Sequence, residues 1–194
     1  MMEQDFMRRF GERLAERVHE AQVDVFVMGP HVPPRKADSE LSSSARLRKF
    51  LIQRLQSEGY AVPPDLKAVI ALTEKHLGKG VDLATVEHTF AEEVDLLIFI
   101  PDSNGSAAEA GYFAGLTRLR KTHLGTKAVV LLSATSKSNP GYVALGPARQ
   151  LRAAGARVHY VNYSHRNVIW KIVENEVADA RSLKVVRPTL GLRL

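Results

Sequence analysis

Apolar residues along this chain fall into two patterns, short continuous runs and stripes at helical spacing. The runs Val23 to Met28, Leu96 to Ile100, Lys127 to Leu132 and Arg157 to Val161 predict strands. The unbroken Leu96 to Ile100 run fits a strand covered on both sides. Tyr60 to Val62 reads as a shorter second strand, stopped by Pro63-Pro64. The stripes predict helices. Phe6, Phe10, Leu14 and Val18 recur every four residues within Glu3 to Ala21. Leu47, Phe50, Leu51 and Leu55 follow a cap at Ser42 to Ser44 and end near Glu58-Gly59. Leu66 to Leu77 reads as a helix, followed by a break at Gly78 to Gly80. Asp82 caps a helix that runs to Val94 and buries Val86, Phe90 and Val94. Ala107 to Arg120, Val143 to Ala154 and a Ser164-capped helix through Arg181 complete the set. His31 to Ser44, rich in Pro, Ser and charge, reads as a long loop or flap.

Strands alternating with helices predict an α/β, Rossmann/flavodoxin-like three-layer fold. It should have about five parallel strands and helices on both faces. The division expected is an N-terminal amphipathic helix at 1–22, the α/β domain at 23–182 and an extended or partner-bound basic tail at 183–194. In a parallel sheet, Gly29-Pro30, Asp102 to Ser106, Ser133 to Gly141 and Asn162 to His165 all fall at one edge. Such a gathering of polar turns at the carboxyl ends of strands is where α/β proteins bind ligands.

Composition narrows the picture. The chain has 194 residues, 45% of them apolar, which suits one domain with a full core. It has no cysteine, so disulfides, thiol catalysis and Cys-ligated zinc are excluded, and a cytoplasmic location is expected. No run approaches the roughly 18 apolar residues of a membrane helix, and the N-terminus lacks a signal-peptide core. A net charge of +6 suits a solvated basic surface, and also phosphate-bearing small molecules or a nucleic-acid partner.

Candidate chemistry concentrates in Ile98 to Gly115, IFIPDSNGSAAEAGYFAG: an apolar strand, a polar turn and a helix start. It has neither the G-x-G-x-x-G fingerprint nor a P-loop. Glu109, placed in the helix's first turn, is open to two readings. With Ser106 it makes a capping box; alternatively it faces a pocket as nucleophile or cation stabiliser. Ala107, Ala108, Ala110 and Gly111 let a ligand approach closely. Histidines are scattered, with His88 expected on a helix surface, and neither a metal nor a cofactor is called for.

The same stretch resembles the signature of nucleoside 2-deoxyribosyltransferases and their relatives, in which an apolar strand is followed by acidic residues, Gly-Ser or Gly-Thr, two residues, Glu and a small-Gly pair. The wider clan includes TIR-type NAD hydrolases, cytokinin-activating phosphoribohydrolases and ligand-sensing domains of bacterial conflict systems. The resemblance spans Val23 to Ser133 and is tightest at Gly105 to Gly111. It implies Glu109 as the carboxylate that attacks the anomeric carbon, with Asp102 or Asp82 as acid/base. Gly29, Pro30, Asn104, Gly105 and Ser106 would form the pocket wall. Ser103-Asn104 stand where the family often has acidic residues. The implied activity is cleavage or transfer at an N-glycosidic bond of a nucleoside, nucleotide or NAD-like molecule. Related domains serve as toxic effectors in bacterial antiphage systems, including those paired with retrons. The alternative is a non-catalytic nucleotide-sensing module of the same fold. Expected partners are a nucleotide, further copies of the chain brought together by the Phe6/Phe10/Leu14/Val18 helix, and a nucleic-acid-containing or protein regulator; a membrane is not expected.

Overall fold

The structure, a computed structural model, describes residues 2–33, 35–63, 74–75, 83–120 and 124–189. The expected Leu66 to Leu77 helix, Gly78 to Gly80 break and Asp82 cap lie outside them, apart from 74–75, as do the side chains of Phe6 and Phe10. Helix α1 (Met2–Glu20) precedes strand β1 (Val25–Met28) and helix α2 (Ser43–Ser57). Then come α3 (Leu83–Glu93), β2 (Leu96–Phe99), α4 (Asn104–Arg120), β3 (Ala128–Ser133), α5 (Pro147–Ala153), β4 (Arg157–Val161) and α6 (Arg166–Thr189).

Among the described residues the sheet has four strands in the order β1-β2-β3-β4, all parallel. The fifth strand expected at Tyr60 to Val62 is reduced to a parallel bridge between Ala61 and Asp24, supported by Val25 N–H donating to the Ala61 carbonyl at 2.9 Å. Pro63 follows at once and has no N–H to extend the ladder. Counting that bridge, the segments read 2-1-3-4-5 in chain order, the flavodoxin-like arrangement. Its topological switch point falls between β1 and β2.

Alternate strand residues serve opposite layers. Val25, Val27, Leu96, Ile98, Ile100, Val129 and Leu131 pack on Leu47, Leu51 and Leu55 of α2 and on Ile169, Val173 and Val177 of α6. Phe26, Leu97, Phe99, Val130 and Leu132 pack on Ala91 of α3, Phe113 and Ala114 of α4 and Leu151 of α5. Strands β1, β2 and β3 are covered on both faces and carry no polar alternation, whereas the edge strand β4 alternates Arg157 and His159, which pair with Glu176. Helix α1 packs along α6.

Three other expectations are corrected. The Val143 to Ala154 helix is two pieces, Tyr142–Leu145 and α5, because Pro147 takes the first helical position and Gly146 takes φ −104°, ψ −94°. Helix α6 continues to Thr189, so residues 183–189 are helical rather than an extended tail; Val185 is buried and Lys184 Nζ donates to Asp95 at 2.7 Å. His88 is not a surface residue: its side chain is 12% exposed, with Nε2 3.3 Å from Glu92. Of the described helices, none is long and apolar enough to cross a membrane.

One glycine is required by close approach. In the turn Leu124–Lys127, a Cβ on Gly125 would overlap the Ala154 carbonyl and lie 2.7 Å from the Ala154 Cβ. Gly125→Ala should therefore lower stability by about 1–3 kcal/mol, read as a drop in the thermal unfolding midpoint. An unchanged midpoint would refute that packing.

Candidate functional site

Strand β1 ends at Gly29-Pro30 and β2 at Ile100-Pro101-Asp102, side by side, with Ile100 N–H donating to the Met28 carbonyl at 2.9 Å. A Cβ on Gly29 would stand 3.0 Å from Ile100 Cβ and 3.1 Å from Ile100 O, so a glycine lets the two strand ends meet. Arg48 reaches in from α2. Its Nε donates to the Val27 carbonyl at 3.1 Å and its Nη1 to the Pro30 carbonyl at 3.2 Å. The guanidinium is thereby fixed over the end of β1. Positive charge at a strand-end crevice favours an anionic or phosphate-bearing occupant.

Helix α4 leaves β2 with a different cap from the one expected. It starts at Asn104, not Ala107. Ser103 caps it: Ser106 N–H donates to Ser103 Oγ at 3.2 Å, Ser103 N–H donates to Ser106 Oγ at 3.0 Å, and the two hydroxyls lie 2.8 Å apart. This reciprocal pair uses Ser106, 3% exposed, as the cap's third residue. Glu109 is released from capping and sits in the second turn, not the first. Asn104 and Gly105 are exposed in the first turn, and Pro30 is buried beneath the strand ends.

Glu109 is half-buried, and no hydrogen bond or ion pair holds its carboxylate among the described residues. Burial raises its pKa above the ordinary carboxylate range, and Arg48 pulls it part of the way back. Asp102 is exposed just before the cap. It acts on Tyr163, whose hydroxyl donates to the Leu131 carbonyl at 3.0 Å; burial first, then the Asp102 charge, pushes the phenol pKa up. Asp82 lies outside the described residues.

Two members of the site carry no local mark in the sequence. Arg48 is one of several basic residues on α2. Glu87, in the second turn of α3, is 6% exposed and has no hydrogen-bond or ion-pair partner among the described residues. Burial first, then the charge of Glu109, pushes its pKa up to about 7. The two helices flanking β2 thus carry one carboxylate each in their second turns, near enough for the charge of Glu109 to act on Glu87. Only a hydrophobic-moment break could have flagged Glu87: it interrupts the buried face next to Val86.

The Glu87 shift has a consequence for folding. Raised from 4.5 to about 7, this group binds its proton more tightly in the folded chain than in the unfolded one. Its penalty is absent below the unfolded value, grows as pH rises between the two and is complete above the folded value. Glu87→Gln removes the penalty, so the variant should gain roughly 3 kcal/mol over the parent chain at pH 8 and under about 1 kcal/mol at pH 5. Urea unfolding at the two pH values measures this; equal gains at both would contradict it.

The sheet order and connections define a flavodoxin-like α/β domain, with acidic side chains on the helices that flank its switch point. Residues 44–189 match the family described as STM3845 retron effector protein, and the chain belongs to that family. Over 109 residues it is 29% identical to an Escherichia coli protein named as a candidate ribosyltransferase/DNA-binding protein of retron Ec86. The match covers 56% of this chain and 33% of the relative, so the chain spans about a third of that protein.

Proposed function

We propose that this retron effector domain cleaves, or transfers a group at, the N-glycosidic bond of a nucleoside, nucleotide or NAD-like molecule. The observation that carries the reading is Glu109: a half-buried carboxylate with no hydrogen-bond or ion-pair partner among the described residues, in the second turn of the helix that leaves the switch point through the exposed Asn104-Gly105 turn. Breaking the bond builds positive charge at the anomeric carbon, which a carboxylate under the ring stabilises or traps. Pro30 and Ser106 shape the wall from beneath, Arg48 favours a phosphate on the sugar, and Asp102 and Asp82 stand as acid/base candidates from the sequence. The name of the Escherichia coli relative supports ribosyl transfer. Retron effector membership and a net charge of +6 support an antiphage role under a nucleic-acid-containing regulator.

The sensing alternative draws on one observation. Ser103-Asn104 stand where the transferase signature places acidic groups, and Ser103 spends its hydroxyl on Ser106. Incubating the purified chain with deoxynucleosides, nucleoside monophosphates and NAD and following free base by chromatography separates the two. Base release supports the enzyme; saturable binding with no release, unchanged by Glu109→Gln, supports the sensor.

A further inference from the structure

We infer that Glu87 is the proton donor for the departing base, paired across the crevice with Glu109. The inference rests on the reading of Glu109 as nucleophile and adds a residue that the transferase signature does not contain.

Geometry points to Glu87. It comes from α3, the helix entering β2, while Glu109 comes from α4, the helix leaving it, and each stands in the second turn. At 6% exposure Glu87 is a buried carboxyl with no partner among the described residues. A buried carboxyl with no cation or donor is neutral unless another acid forces a choice. Among the described residues, Glu109 of α4 is the charge that acts on it, and Arg48 of α2 acts on Glu109. The cation therefore favours charge on Glu109 and the proton settles on Glu87.

The division of roles follows. Glu109 Oε bonds to the anomeric carbon as the bond from that carbon to the base nitrogen breaks, and the Glu87 proton passes to that nitrogen, directly or through one water. Glu109 loses its charge in the same event, so the repulsion that kept Glu87 protonated disappears as its proton is needed. Water then attacks the anomeric carbon, giving one proton to the Glu87 carboxylate and releasing Glu109 as a carboxylate. The sum is glycoside plus water to free sugar plus protonated base, with both residues restored. Such a donor matters only where the base would otherwise leave as an anion. A base already carrying positive charge leaves neutral and needs no proton.

A matched pair of substrates tests this. Deoxyguanosine monophosphate and its N7-methylated form share sugar and phosphate and differ in the charge of the leaving base. In a single first turnover, which reports bond cleavage before water enters, Glu87→Gln should slow base release from the unmethylated nucleotide by about 100-fold or more, and from the methylated one by less than about threefold; Glu87→Asp should recover part of the loss. In the parent chain, release of the unmethylated base should fall as pH rises through the ionisation of Glu87, and this limb should be missing for the methylated base. That profile needs no variant, so misfolding of one cannot obscure it. Equal losses on both substrates, no loss on either, or the same alkaline limb for both would overturn the role of Glu87 while leaving Glu109 in place. Release from both substrates undiminished in Glu109→Gln would instead overturn the reading beneath it, as would no release by the parent chain from either nucleotide or from NAD; release from NAD alone, whose cationic base leaves neutral, would overturn the role of Glu87.

Discussion

Glu109→Gln should abolish N-glycosidic turnover, lowering kcat/KM by on the order of a thousandfold or more, about 4 kcal/mol of transition-state stabilisation, while leaving the unfolding midpoint no lower than the parent's. The amide matches the acid in shape but carries no charge and attacks carbon poorly. Its effect is large because the site is partly dry: burial raises the Glu109 pKa, and the same low dielectric strengthens a carboxylate facing an oxocarbenium ion. Stability is not lowered because no hydrogen bond or ion pair among the described residues holds the carboxylate, and the change removes a charge that burial disfavours. The expected kinetic signature is a fall in kcat with little change in KM, since the interaction grows only as positive charge develops. Steady-state release of free base, measured beside urea unfolding, decides it. Activity within tenfold of the parent would remove Glu109 from the chemistry.

The sheet was legible because three of its four described strands, β1, β2 and β3, are buried on both faces. Leu96 to Ile100 reads as a strand from any window, and the order of strands and helices implies parallel pairing. The gathering of polar turns at one edge followed from that topology, and Glu109 with it. What escaped depends on tertiary burial. Glu87 differs locally from Glu92 and Glu93 only in standing beside Val86, and its burial without a hydrogen-bond or ion-pair partner among the described residues arises only in the folded chain. The α4 start was misread because Ser103 and Ser106 are both good caps, and the choice between them rests on a reciprocal pair of bonds that spacing alone does not reveal. The C-terminal segment looked like a tail because it is basic and contains Pro188, yet Lys184 is held by Asp95 and Val185 by the core.

The scaffold beneath the site sets the second large effect. Phe113 lies four residues beyond Glu109, on the side of α4 that faces the sheet. It is fully buried, its ring centroid 5.5 Å from that of Phe99 on β2. Deleting it removes an edge-tilted aromatic contact and leaves a void between α4 and the strand. Phe113→Ala should cost about 3–5 kcal/mol, a large share of the roughly 5–15 kcal/mol that holds a domain together. Phe113→Leu, which keeps most of the volume, should cost far less. Activity should fall further than the folded fraction alone explains. Once α4 can settle toward β2, Glu109 moves with it, and a misplacement near 1 Å is enough to lose on the order of 100-fold in rate. Urea unfolding together with base release per folded molecule separates the two contributions. If Phe113→Ala unfolds with the parent's midpoint, α4 is not anchored through this ring, and the position of Glu109 must be set by the Ser103–Ser106 cap and the strand ends alone.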